Sequence, residues 1–209
     1  MEFWNDEVTM QSWSRLIELS KEIEMVVIGG WAVYLYTGLS KSKDIDIIID
    51  YGTLRKLASK YSLVKNDRLS KYEIKQGNFD IDIYLPKYSR LALPAEDILS
   101  KFTLHKDGFK LPTPEALICL KFSAFQDRKM SIKGQKDAID LLGLMFYSGI
   151  DMLKLRQVCV TYGIEDLGRE TLTLLRTFDP ESLKYINLNQ KSFSVRRRKL
   201  SGEIKEHLL

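Results

Sequence analysis

Four aspartates carry the spacing most suited to chemistry. Asp44-Ile45-Asp46 and Asp80-Ile81-Asp82 each set two carboxylates two residues apart among isoleucines. Alternate side chains of a strand point the same way, so each pair shares a face. Like charges side by side repel, and a divalent cation that also binds phosphates is the natural neutraliser. Upstream, the apolar run Met25-Val26-Val27-Ile28 is closed by Gly29-Gly30, fourteen residues before Asp44. The combination points to phosphate chemistry, and to nucleotidyl transfer. If the two acidic strands pair, Asp44, Asp46, Asp80 and Asp82 converge as metal ligands. Two would hold Mg²⁺ (or Mn²⁺), and a third would complete a second metal site or take the proton of an attacking hydroxyl. That oxygen would strike the α-phosphate of a nucleoside triphosphate and expel pyrophosphate.

The elements that must position these residues are legible. Residues 7–22 have helical apolar spacing, and 25–28 form a short buried strand. A helix follows from Trp31 to Tyr36 and stops near Gly38. Residues 44–49 and 79–85 are strands, and 54–60 form a short helix. Residues 63–65 and 71–75 read as edge strands with a turn at 76–78. Ser40, Lys41, Ser42 and Lys43 enter the first acidic strand. They are either phosphate contacts or an exposed polar loop.

Leu111-Pro112-Thr113-Pro114 marks a boundary, with Thr113 suited to a helix N-cap and Pro114 to the first helical position. Nearly everything from there to residue 178 reads as helix. The expected architecture is α+β: residues 1–112 a mixed α/β domain, 113–180 a helical lobe closing over the site, and 181–209 a basic C-terminal tail. In the helix 114–127, Lys121 is the only charge between Ala116 and Phe125. It must snorkel, pair with an acid, or face a polar cavity. The next helix offers Asp137 and Asp140, three apart on one side. A basic loop, 127–134, lies between.

Composition excludes several classes. The 209 residues are 44% hydrophobic and 29% charged, as expected of a globular chain. No apolar run approaches the roughly 18 residues that span a bilayer. The start, Met1-Glu2-Phe3-Trp4-Asn5-Asp6-Glu7, is acidic and mixed, unlike a signal peptide. Cys119 and Cys159 sit in apolar helical patterns and read as reduced core residues of a cytoplasmic protein. The two histidines, His105 and His207, lack the spacing of a zinc site or a triad.

Strand, Gly-Gly, helix, D-x-D strand and a second acidic strand together resemble the nucleotidyltransferase superfamily of the DNA polymerase β type. The resemblance covers residues 23–86. It implies a small mixed sheet flanked by helices, with Gly29 and Gly30 against the triphosphate and Asp44 and Asp46 on Mg²⁺. Asp82 is the third acid by this pattern, with Asp80 the alternative. Many members carry Ser close to the glycine pair, where this chain has Trp31. The pattern P-E-x-L … K … R … K-D-x-x-D-L resembles the helical half of abortive-infection type nucleotidyltransferases, some of them toxins of toxin–antitoxin pairs. By that resemblance Lys121 contacts the nucleotide phosphates, Asp137 or Asp140 braces it, and Arg128 and Lys136 lie near. It also implies an NTP such as ATP as substrate and a cognate antitoxin as partner. Three readings of the task follow: transfer onto tRNA or another RNA, adenylylation of a small molecule such as an aminoglycoside, or a non-catalytic nucleotide-binding module. The basic loop 128–136 and Arg196-Arg197-Arg198-Lys199 favour the first modestly, although composition alone reads the latter cluster as a solvated terminal segment.

Overall fold

The computed structural model describes residues 5–209, so the start of the acidic N-terminal stretch, residues 1–4, lies outside them. The chain divides into two units, Met1–Thr113 and Pro114–Leu209.

In the first unit, helix α1 (Asp6–Glu22) begins where the Asn5 side chain accepts a hydrogen bond from the Glu7 amide. Strand β1 (Val26–Ile28) is wholly buried, and helix α2 (Gly29–Thr37) follows without an intervening loop. Gly38, in the left-handed region, ends α2. Strand β2 (Ile45–Ile48) leads to helix α3 (Tyr51–Ala58), where the Asp50 carboxylate accepts from the Thr53 amide at 2.6 Å. Strands β3 (Val64–Asn66), β4 (Lys71–Lys75) and β5 (Asp80–Tyr84) complete a five-stranded sheet of order β1-β2-β5-β4-β3. Only β2 and β5 run parallel. Ile45, Ile47, Ile81 and Ile83 are fully buried on one face, and alternation sends the aspartates to the other.

Trp31 has a structural task in place of the serine common near the glycine pair. Its ring is buried, its Nε1 donates to Ser12 Oγ at 2.9 Å, and it stacks with Trp13 and Tyr34. This fixes α2 against α1. Helix α4 (Ala95–Lys101) and the hairpin β6 (Thr103–Lys106) and β7 (Phe109–Pro112) are not anticipated by the periodicity. They are short, and β6 is partly exposed, so no clean alternation announces it. Asp107-Gly108, both at positive φ, is the hairpin signal that was available.

The second unit is helical: α5 (Pro114–Arg128), α6 (Ile132–Tyr147), α7 (Met152–Tyr162), α8 (Leu167–Thr177), a 3₁₀ helix (Pro180–Ile186) and α9 (Gln190–His207). The turn between α5 and α6 is so close that a Cβ on Gly134 would lie 2.1 Å from the Arg128 carbonyl oxygen. Cys119 and Cys159 are free, buried and hydrogen-bonded to each other. Residues 181–209 are not a tail. Phe193, Leu200 and Ile204 of α9 are buried in this unit, and Arg196 donates to the Phe146 carbonyl at 3.1 Å while lying over the Tyr147 ring. The charge run hid an apolar stripe at helical spacing. Among the described residues no helix is long and apolar enough to cross a membrane.

Candidate active site

The parallel pairing of β2 and β5 sets Asp46 directly opposite Asp82. Opposed residues of neighbouring strands project to one side, so the two D-x-D pairs share a face of the sheet. Asp44 precedes β2, and its Oδ1 accepts from the backbone N–H of Asp80 at 3.1 Å. Asp44 therefore ties the start of β5 to β2, and its Oδ2 is left for another partner.

Asp46 is packed against the glycine turn. Gly29 has φ +64°, and a Cβ there would lie 2.1 Å from Asp46 Oδ2 and 2.8 Å from Asp46 Cβ. Only glycine accepts both the backbone angle and the approach. The N-cap residue of α2, Ile28, gives its first turn no side-chain hydrogen bond, and Gly29, the first residue of that turn, is the one packed against Asp46. Gly30 is buried as the second residue of α2. Tyr84, two residues after Asp82 and hence on the same face, donates from its hydroxyl to Asp46 Oδ1 at 3.3 Å. The period of two would have found Tyr84. Lys43 sits half-buried in the bend before β2, while Ser42 Oγ donates to the Asp44 carbonyl.

Two residues in this row have no counterpart in the sequence reading. On β4, Glu73 lies opposite Asp82. Lys71, two residues earlier on the same face, places Nζ 2.5 Å from Asp82 Oδ2 and 3.1 Å from Glu73 Oε1. Lys75 bridges Glu73 at 2.6 Å and Asp80 at 2.8 Å. Asp80 is thus held by a lysine at the rim, while Asp82 is the second-strand acid beside Asp46.

The electrostatics follow. Burial, and then the charge of Asp46, push Asp82 up to about 6, with Lys71 opposing. Its Oδ1 is buried and makes no hydrogen bond. The hydrogen bond from Lys75, helped by Asn66 and Lys71, holds Glu73 down to about 2. Burial works against the Lys71 charge, but Asp82 and Glu73 together outweigh it and keep the ammonium above its ordinary range. Among the described residues no three His, Cys, Asp or Glu are already gathered as metal ligands.

The helical unit carries its own ionic cluster. Lys121 Nζ lies 2.8 Å from Asp140 Oδ2 and 3.4 Å from Asp137 Oδ1. Lys136 Nζ contacts both Asp140 oxygens, at 3.0 and 2.9 Å. Arg128 Nε lies 2.5 Å from Asp137 Oδ2. Lys121, Lys136, Asp137 and Asp140 are all buried. Of the three fates open to Lys121, it takes pairing with an acid. Burial depresses Lys136 from its ordinary range. It also opposes the Asp140 charge, but Lys121 and Lys136 overcome that and hold Asp140 low.

Among solved structures the chain resembles JHP933 from Helicobacter pylori, with a TM-score of 0.51, 13% identity, and 97% of this chain and 95% of that one covered. It also resembles an antigenic nucleotidyltransferase-like protein from Paracoccidioides brasiliensis, with a TM-score of 0.44, 16% identity, and 88% and 94% covered. At such identities the former likeness speaks for the fold alone. No curated protein matches the sequence. Residues 8–170, from α1 into α8, match the family model described as "Nucleotidyltransferase of unknown function (DUF6036)", and the chain belongs to that family.

Proposed function

We propose that the protein transfers a nucleoside monophosphate from a nucleoside triphosphate to an acceptor hydroxyl or phosphate, with Mg²⁺ or Mn²⁺ bound. The observation that carries this reading is the in-register pair Asp46 and Asp82, with Asp46 seated against Gly29 at the uncapped start of α2.

The residues fit a hard divalent cation. Carboxylate oxygens are its preferred donors, and one or two commonly suffice when substrate phosphates supply the rest. Asp44 and Asp46 would hold it. The raised Asp82 and its unpartnered Oδ1 mark a face with more negative charge than its lysines satisfy. When bound, the cation neutralises phosphate charge as the α-phosphate changes partners. The remaining work belongs to the chain. The backbone at Gly29 and Gly30 receives the triphosphate at a helix N-terminus. The Asp82 carboxylate takes the proton as the acceptor oxygen bonds to the α-phosphorus and the bond to pyrophosphate breaks. Tyr84 steadies Asp46.

The test incubates the protein with Mg²⁺ and each labelled triphosphate, with total RNA or an aminoglycoside as acceptor. Label should enter an acceptor with wild type and fail to enter with Asp46→Asn and Asp82→Asn. RNA is the expected acceptor, because Arg197, Arg198 and Lys199 form an exposed basic run on α9. Label entering the aminoglycoside selects small-molecule adenylylation. Triphosphate binding without turnover, unaltered in both variants, would replace the enzyme by a nucleotide-binding module.

A further inference from the structure

We infer that the Lys71 ammonium is a built-in counter-cation that stands in for a second metal ion, so that this site works with one divalent cation. The inference rests on the metal-dependent reading proposed above and adds the cation count.

The geometry around Lys71 is that of a filled site. Its Nζ lies between Asp82 Oδ2 at 2.5 Å and Glu73 Oε1 at 3.1 Å, and its side chain is 10% exposed. Glu73 has nothing further to offer. Its Oε1 also accepts from Asn66 Nδ2 at 2.9 Å, and its Oε2 is held by Lys75 at 2.6 Å. A second ion seated on Asp82 and Glu73 would therefore displace the ammonium or share its space, and like charges at that distance in a buried site repel strongly. Lys71 and Glu73 belong to β4, whose antiparallel register with β5 sets Glu73 opposite Asp82. The division of labour is then plain. Asp44 and Asp46 serve the divalent cation, and Lys71 occupies Asp82 Oδ2.

Mn²⁺ titration of the substrate-free protein, read by electron paramagnetic resonance, tests this without turnover. Sites are counted as those lost in the Asp46→Asn/Asp82→Asn double variant. Wild type should hold one such ion. Lys71→Met, which keeps length and removes charge, should hold two, with the added ion lost again in Lys71→Met/Glu73→Gln. Lys71→Arg should stay at one. Two ions in wild type, or a Lys71→Met count that stays at one, overturns the inference. Should Lys71→Met fail to fold, the wild-type and Lys71→Arg counts decide alone. The two proposals fail separately: label transfer that depends on Asp46, with two ions in wild type, removes only the counter-cation. Absence of both transfer and Asp46-dependent Mn²⁺ binding removes the metal-dependent reading and this inference with it.

Discussion

Replacing Gly29 by alanine probes the closest contact in the candidate site. The substitution carries two costs that a control can separate. The first is backbone: φ is +64°, and an L-residue in the left-handed region loses about 1–2 kcal/mol relative to glycine. The second is space. The new methyl would lie 2.1 Å from Asp46 Oδ2, 2.7 Å from Cγ and 2.8 Å from Cβ. Rotating the carboxylate relieves the first two overlaps but not the third, because Cβ is fixed to the β2 backbone. The strand or the start of α2 must shift, at a further cost of about 1–3 kcal/mol. Gly38, at the other end of α2, has φ +68° and nothing within 4 Å of its virtual Cβ. Gly38→Ala therefore carries the backbone cost alone. At about 2–4 °C per kcal/mol for a chain of this size, Gly38→Ala should lower Tm by a few degrees and Gly29→Ala by about two to three times as much. Calorimetry reads that difference. Gly29→Ala should also abolish Mn²⁺-dependent binding of a non-hydrolysable triphosphate, while Gly38→Ala leaves it intact. Equal melting temperatures and equal nucleotide binding in the two variants would refute the claim that Asp46 is seated against the glycine turn.

Other outcomes follow from the same structure. Asp82 at about 6 lies above its ordinary value of 3.8, so the folded metal-free protein binds more protons than the unfolded chain between those limits. Its contribution to stability is complete below pH 4 and is lost as pH rises through 6; relative to Asp82→Asn, wild type should lose up to about 3 kcal/mol across that window, measured by urea melts at fixed pH. Glu73 has the opposite sign: held down to about 2, it adds stability above its ordinary range that fades as pH falls toward 2, and Glu73→Gln should flatten the acid limb of the same melts. Asp140→Ala would strip both Lys121 and Lys136 of a buried partner and should cost about 3–5 kcal/mol in chemical denaturation, whereas Asp166→Ala, from an exposed pair with Arg169, should cost less than about 0.5 kcal/mol. Arg196→Ala should lower Tm, because that guanidinium holds α9 to the end of α6, while Arg198→Ala plus Lys199→Ala should leave Tm alone and weaken RNA retention in a salt-dependent filter-binding assay.

The parts of this molecule that sequence reveals are those fixed by local period. Isoleucines alternating with aspartates define both the buried and the acidic face of β2 and β5 before any partner is known. Gly38 and Pro114 mark helix ends because each does so by its own backbone chemistry. What escapes is whatever depends on a neighbour's identity. Arg196 to Lys199 looks like a solvated run until α9 is placed on α6 and Arg196 proves to be an anchor. Trp31 looks like a missing phosphate ligand until Ser12 and Trp13 are seen to receive its ring.

Lys71 and Glu73 show the same limit at the site itself. In the stretch Lys71-Tyr72-Glu73-Ile74-Lys75 the charges alternate as they do on any exposed edge strand. Yet β4 lies between β5 and β3, and its polar face meets the acidic face of β5. The register comes from the hairpin at 76–79, where the Gln76 amide donates to the Phe79 carbonyl at 3.0 Å. A slip of one residue there would turn Lys71 and Glu73 to the opposite face and set Tyr72 beside Asp82. The charge environment of the acceptor-side carboxylate is thus decided by a turn remote from it. Inserting one residue at Gly77, whose virtual Cβ meets nothing within 4 Å, leaves room for the turn to grow without a clash. If the longer turn shifts the register of β4 on β5, the Lys71–Asp82 pair breaks, while Asp46, opposite Ile28 of β1 and Asp82 of β5, stays in place. Such a variant should keep the Asp46-dependent Mn²⁺ ion and lose nucleotidyl transfer, because β1 and β5 hold Asp46 while β4 supplies the lysine that sets the charge environment of Asp82.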